Sequence, residues 1–319
     1  MASDAELATQ GKPAGQENRI ESSEGTIQEL PSRRWWALAV IALAQLMVVL
    51  DGTVVTIALP SAQRALHLSN ADRQWAITAY TLAFGGLLLL GGRVSDYVGR
   101  KRTFLIGLLG FAAASALGGA AQNGATLFGA RAIQGLFAAL LAPAALSLLS
   151  VTFTGAKERS RAFAVYGAIS GGGAAIGLIL GGALTEYASW RWCLLINVPI
   201  AILAMVAGTI LLTESKSGGK SSYDLPGAIL GTAGLVALVY GFDEAAKTGV
   251  GWLSVATISY LGGALILLAA FVLVELRSAK PMLPMRIVLD RNRGGSYLAS
   301  LLLFAGLFAM FLFLSYYFQ

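Results

Sequence analysis

"LMVVLDGTVVTIALP", residues 46–60, sets a single aspartate, Asp51, in the middle of an otherwise apolar run. Whether that run lies in water or in lipid decides the fold, and composition answers first. Of 319 residues, 56% are hydrophobic and 13% charged, with a mean hydropathy of +0.69. A soluble domain carries about 25% charged residues, so the chain reads as a membrane protein. In that setting an aspartate at the centre of a spanning helix costs about 2.5–3.5 kcal/mol, so it is expected to face a cavity or a partner rather than lipid.

Working outward, the run belongs to the first of nine apolar stretches: 36–59, 75–92, 103–121, 126–151, 162–183, 192–213, 225–242, 252–275 and 296–318. Each is roughly 18–26 residues, enough at about 1.5 Å per residue to cross a hydrocarbon core of about 30 Å. A transmembrane barrel would instead show alternating segments of about ten residues. The expected fold is all-α, a bundle of transmembrane helices.

The formal charge of +6 raises nucleic acid as a partner, but the basic residues sit in short clusters between the apolar runs rather than along one face. They gather at alternate loops: Arg33 and Arg34; Arg93, Arg100, Lys101 and Arg102; Lys157, Arg159 and Arg161; Lys216 and Lys220; Arg277, Lys280, Arg286, Arg291 and Arg293. Arg64, Arg73, Arg191 and Lys247 fall on the other side. The positive-inside rule then places the N-terminus in the cytoplasm of a multi-pass cell-membrane protein. Residues 1–34, polar and without periodicity, read as a disordered cytoplasmic tail. They lack the basic start and the small-residue cleavage site of a signal peptide.

"GGRVSDY" (91–97) returns as "GGALTEY" (181–187), three predicted helices later and so on the opposite side of the membrane. Inverted repeats of three helices produce that relation.

Four groups of residues carry candidate chemistry. Asp51 is paired by orientation with Arg131 of the fourth stretch, "LFGARAIQGLFAALLAP", at a similar depth from the outer surface. The two form either a proton site whose occupancy the guanidinium modulates or a static ion pair. The loop "GGRVSDYVGRKR" (91–102) has Gly92 and Gly99 where close approach and a tight turn are needed, Asp96 where helix ends or a base can pair with it, and Arg100, Lys101 and Arg102 at the inner surface. In the fifth stretch Gly173, Gly177 and Gly181 recur at intervals of four, with Gly182 adjoining. That spacing allows two helices to approach closely, in packing or in gating.

Enzyme motifs fail. "GGKSS" (218–222) imitates the end of a phosphate loop, yet the required first glycine is Glu214. HExxH and GxSxG are absent, a lone His67 and a lone Cys193 offer neither a metal cluster nor a disulfide framework, and no cofactor is implied.

These motifs together resemble the fourteen-helix drug:proton antiporter family of the major facilitator superfamily. "LDGTVVTIALP" looks like its first-helix motif and "GGRVSDYVGRKR" like the superfamily's loop between helices two and three. "RAIQG" (Arg131, Gln134, Gly135) resembles the fourth-helix motif, and "SWRWCLLINVPI" (189–200) a stretch typical of the branch. The resemblance implies a major-facilitator-type bundle of inverted three-helix repeats that exports small organic molecules in exchange for protons by alternating access. It assigns Asp51, Arg131 and Gln134 to proton coupling or substrate, and Asp96 and Arg100 to gating. Two positions depart from the pattern: Tyr97 stands where an arginine is usual, and Leu178 replaces the proline of the helix-five motif.

The division expected is a tail (1–34), a first six-helix bundle (35–213), a linker with two additional helices (214–276) and the first helix of a second bundle (277–319), so that the chain covers nine of fourteen helices. Lipid, protons and a small molecule are the expected partners, with the proton gradient as the driving force; no oligomeric state follows. Two alternatives stay open: uptake or uniport of a metabolite, suggested by the missing proline, and a membrane binding or regulatory subunit that completes no transport cycle.

Overall fold

A computed structural model describes residues 31–216, 225–246, 251–278, 281 and 285–317. Helices account for the described chain, and no strand occurs among those residues: α1 (Pro31–Ala65), α2 (Asn70–Val98), α3 (Arg100–Gly119), α4 (Gly124–Thr152), α5 (Ala156–Tyr187), α6 (Trp192–Leu195), α7 (Asn197–Leu211), α8 (Leu225–Ala246), α9 (Val255–Arg277), α10 (Met285–Val288) and α11 (Arg291–Tyr317). Among the described residues eight segments are long and apolar enough to cross a membrane, α6 and α7 together forming one of them. The ninth predicted stretch falls in α11, about 40 Å long at 1.5 Å per residue.

The first helix corrects the sequence reading at both ends. Most of the expected tail lies outside the described residues, but its last four, with Arg33 and Arg34, are already helical. Pro31 opens α1 because a proline costs nothing at the first helical position. Pro60, expected as the outer end, is inside the helix, which runs on to Ala65. The backbone bond it cannot make is lost on an exposed face, where its cost is least.

Local chemistry sets the starts of the other spans. Ser69 caps α2 in a reciprocal box with Asp72: its Oγ accepts from the Asp72 N–H at 3.1 Å, and the Asp72 carboxylate accepts from the Ser69 N–H at 3.3 Å. Asn123 caps α4 by accepting from Thr126 N–H at 2.9 Å, and Ser254 does the same for α9 through Thr257 N–H at 3.1 Å. His67 takes the left-handed turn (φ 53°) between α1 and α2.

Packing reveals the repeat. α2 lies along α4, and α5 lies along α1, so the second helix of each three-helix unit packs on the first helix of the other. The echoed glycines occupy these two seams: a Cβ on Gly91 would sit 1.9 Å from the Ala139 carbonyl oxygen, and one on Gly181 would sit 3.0 Å from the Val54 Cα. α3 and α7 pack against each other, with α7 also against α1.

Two apolar clusters fill the bundle. One, around Ile41, Met47, Phe104, Phe111 and Leu148, lies towards the end bearing Arg100; the other gathers Leu50, Val54, Leu127, Trp190 and Leu194 towards the opposite end. Asp51 lies at their junction on α1. Outside, bulky apolar residues stand exposed, among them Ile179 at 77% and Leu265 at 72%. Water would penalise such faces at roughly 25 cal/mol per Å², whereas hydrocarbon covers them. The α8–α9 hairpin docks on α2, where Thr232 Oγ1 donates to the Gly86 carbonyl at 2.6 Å and Trp75, Tyr240 and Tyr260 form a chain of ring contacts.

Candidate functional site

Asp51 is 1% exposed and Arg131 2%, and they meet in the bundle interior. Arg131 Nη1 donates to Asp51 Oδ2 at 2.5 Å. The second carboxylate oxygen, Oδ1, accepts from Gln134 Nε2 at 3.0 Å and from Asn197 Nδ2 at 2.8 Å. α1, α4 and α7 thus converge on one acid.

The guanidinium is held on three further sides. Its Nε donates to the Ala76 carbonyl at 3.0 Å, its Nη1 also reaches Gln134 Oε1 at 2.8 Å, and its carbon lies 4.3 Å from the centre of the Tyr80 ring. Gln134 Nε2 reaches Ser115 Oγ at 2.7 Å as well. Gln134 therefore serves both charges: its oxygen meets the cation and its nitrogen the anion, which fixes the amide's orientation.

Helical spacing explains the assembly. Arg131 and Gln134 lie three apart on α4 and share a face. Gly135, one residue on, brings that helix onto α2 so closely that a Cβ there would lie 2.3 Å from the Tyr80 carbonyl oxygen. The contact places the Tyr80 ring and the Ala76 carbonyl against Arg131.

Within the network the two charges compensate each other. Pairing a carboxylate and a guanidinium with good geometry offsets much of their desolvation, while removing one partner of a buried pair costs about 3–5 kcal/mol. Any event that neutralises Asp51 leaves Arg131 as a lone buried cation, so a change of charge at this acid is energetically tied to a rearrangement around it.

The loop residues stand elsewhere. Asp96 is sixteen positions beyond Tyr80 on α2, about 24 Å along the helix. There Asp96 pairs with Arg100 at 3.5 Å across the turn at Gly99, whose φ of 117° favours glycine. Lys101 Nζ donates to the Thr209 carbonyl at 2.7 Å. Gly92 and Asp96 line an open cleft with Arg93, Pro143 and Ser147, and Arg93 donates to the Pro281 carbonyl.

Sequence reading missed the residue that organises this end. Glu214, noticed only as the residue that spoils a phosphate loop, accepts from the backbone N–H groups of Lys101 (3.2 Å) and Arg102 (3.1 Å) at the start of α3. A carboxylate suits the positive end of a helix. The next residue, Ser215, accepts the Arg100 N–H through its carbonyl at 3.1 Å. Glu214→Ala is expected to cost about 0.5–2 kcal/mol, the range for a lost N-terminal cap. Hydrogen exchange should accelerate at the amides of Lys101 and Arg102 and remain unchanged at Asp51; unchanged exchange at Lys101 would refute the capping role.

On α5, Gly173, Gly177 and Gly181 all face α1: Cβ atoms there would meet Val49 at 3.1 Å, Thr53 at 1.9 Å and Val54 at 3.0 Å. Gly182 stands apart from this seam, with open space where a Cβ would go. Leu178, in place of the helix-five proline, is exposed on α5, which runs unbroken from Ala156 to Tyr187.

Asn197, Ser115 and Tyr80 also escaped the sequence reading. Asn197 left a usable signal, a lone amide in an apolar run whose "INVP" had already been singled out as typical of a branch. Gly91 and Gly135 stood inside motifs already noted, "GGRVSDY" and "RAIQG", but nothing in those motifs pointed to the α2–α4 backbone contact they permit.

The described helices form a bundle of inverted three-helix units with a sealed acid–guanidinium pair between α1 and α4, an arrangement of membrane-spanning type. The chain belongs to the Major Facilitator Superfamily, whose family model matches residues 41–319. It is 57% identical to the puromycin resistance protein of Streptomyces alboniger over 90% of this chain and 56% of that protein. It is 41% identical to an uncharacterized MFS-type transporter of Mycobacterium tuberculosis over 94% of this chain and 58% of that one. The cephamycin export protein of Amycolatopsis lactamdurans is 43% identical over 83% of this chain and 55% of its own length. The chain thus spans little more than half the length of the curated relatives it matches.

Proposed function

We propose that this chain supplies the proton-coupling half of an exporter that moves small, antibiotic-like organic molecules out of the cell in exchange for protons. The observation that carries the reading is the buried Asp51–Arg131 pair sealed by Gln134 and Asn197. The names of relatives, one a resistance protein and one an export protein, support the direction and the substrate class. On this reading the N-terminus is cytoplasmic, the cell membrane is the site of action, and the protein is a transporter rather than an enzyme. The proton gradient drives it without a cofactor. Residues 35–213 are the first six-helix bundle, 214–276 the linker and two central helices, and 277–319 the start of the second bundle.

The alternating step follows from the pair. A proton on Asp51 weakens its hold on Arg131; a cationic or polar substrate competes for the same carboxylate. Proton and substrate therefore occupy the site in turn, and the cleft at Gly92 and Asp96 changes with the state of the bundle.

The test is transport by the whole gene product in everted vesicles with an acidic lumen. Adding puromycin or a cephamycin as the probe should dissipate the pH gradient, and collapsing the gradient should stop uptake of the probe. Uptake that continues unchanged without a gradient would overturn proton coupling, and a pH gradient indifferent to both probes would overturn the substrate class.

A further inference from the structure

Within the network one polar atom is left over. Asn197 is fully buried, its Nδ2 donates to Asp51, and its Oδ1 has no hydrogen-bond partner among the described residues. A buried amide oxygen without a partner costs about 1–3 kcal/mol, so its place beside an acid calls for a reason. With Asp51 ionised, every neighbour must donate to it, and the nitrogen of Asn197 does. With Asp51 protonated, the new O–H needs an acceptor.

The other candidates are engaged. Gln134 Oε1 takes Arg131 Nη1, Ser115 Oγ takes Gln134 Nε2, and the Ala76 carbonyl takes Arg131 Nε. The charged or titratable groups facing the acid are Arg131 from α4 and Tyr80 from α2. The Cys193 thiol of α6 is turned to Thr185 of α5 at 3.4 Å; α5 otherwise meets α1 through the glycine seam and through Tyr166 and Ser170, which bond Gln45, six residues before Asp51.

We propose that Asn197 is a positioning residue that reads the protonation state of Asp51: its side-chain amide turns over when the acid is protonated, so that Oδ1 accepts the Asp51 O–H. No covalent bond is made or broken in the protein beyond the O–H itself. A half-turn of the terminal amide torsion exchanges donor for acceptor in nearly the same volume, Arg131 keeps Asp51 Oδ2, and Gln134 keeps Ser115. The inference rests on the reading of Asp51 as the proton carrier and adds to it the group that makes both states of the acid tolerable in a dry site.

Infrared difference spectra between alkaline and acidic pH, on the protein in lipid, test both layers separately. The expected result is a protonated-carboxyl band that disappears in Asp51→Asn, accompanied in the same pH range by a shift of a side-chain amide carbonyl band that moves on side-chain carbon-13 labelling of asparagine. This measurement needs no substitution at Asn197. In Asn197→Leu the amide change should vanish and the carboxyl band should move to higher frequency, as for an acid that has lost its acceptor. A carboxyl band from Asp51 that titrates with no amide shift, or that keeps its frequency in Asn197→Leu, overturns the role of Asn197. Absence of any Asp51 carboxyl band over the range where the protein stays folded overturns the proton-carrier reading itself.

Discussion

Asp51→Asn is expected to abolish gradient-driven export while leaving insertion into the membrane intact. The substitution conserves volume, so the bundle loses no packing. What it loses is the charge that compensates Arg131 and one acceptor: the new amide nitrogen meets either Arg131, or Gln134 and Asn197, all of which donate to the carboxylate. Leaving one member of a buried pair uncompensated costs about 3–5 kcal/mol. Apparent stability should therefore fall along with transport, which by itself would not separate a coupling residue from a structural one. The companion Asp51→Asn/Arg131→Gln separates them. With both charges gone the penalty of an unpaired ion disappears, and exchanging a buried ion pair for neutral groups can be close to neutral. The unfolding midpoint should recover most of the loss, while export stays at background because no group in the site exchanges a proton. Coupled export in either variant at the level of the unaltered protein would remove Asp51 from the mechanism.

Much of the architecture was legible because membrane folding uses strong, one-dimensional signals. Apolar stretches of span length and an echoed seven-residue motif defined helices and repeat without any three-dimensional information. The boundaries were less legible. Pro60 reads as a stop signal in a sequence, yet a helix passes through it when the lost bond falls on an exposed face. The site was legible to the extent that it is ionisable. A charge in hydrocarbon is costly enough to announce itself, which is why Asp51 and Arg131 stood out. Neutral partners such as Asn197, Ser115 and the Ala76 carbonyl carry no comparable penalty in a sequence and become visible only as hydrogen-bond geometry. Glu214 shows the same limit in reverse: its charge was visible, but its target is the backbone of α3, more than a hundred residues earlier in the chain.

The glycines give the second large effect, because they separate backbone obstacles from side-chain ones. Gly91→Ala is expected to destabilise the bundle strongly. A methyl there would lie 1.9 Å from the Ala139 oxygen and 2.7 Å from its carbonyl carbon, so α2 and α4 must move apart. Gly135→Ala meets the Tyr80 carbonyl at 2.3 Å from the opposite helix and should act similarly. Overpacking of this kind costs about 1–3 kcal/mol or more, since main-chain atoms cannot rotate away. Separation of α2 and α4 also draws Tyr80 and the Ala76 carbonyl off Arg131, so export should fall further than stability alone explains. Gly177→Ala meets the Thr53 side chain, whose oxygen can swing away by rotation about Cα–Cβ, and should cost less than a clash with main-chain atoms. Gly182→Ala meets nothing and should be neutral or stabilising by up to about 1 kcal/mol, the helix-propensity difference between alanine and glycine. Unfolding midpoints of the four variants in lipid or detergent check the order, with Gly91 and Gly135 lowest, Gly177 between and Gly182 highest. Equal losses at all four would mean that the α2–α4 seam is not a backbone contact, and with it would go the placement of Tyr80 and Ala76 that holds Arg131 against Asp51.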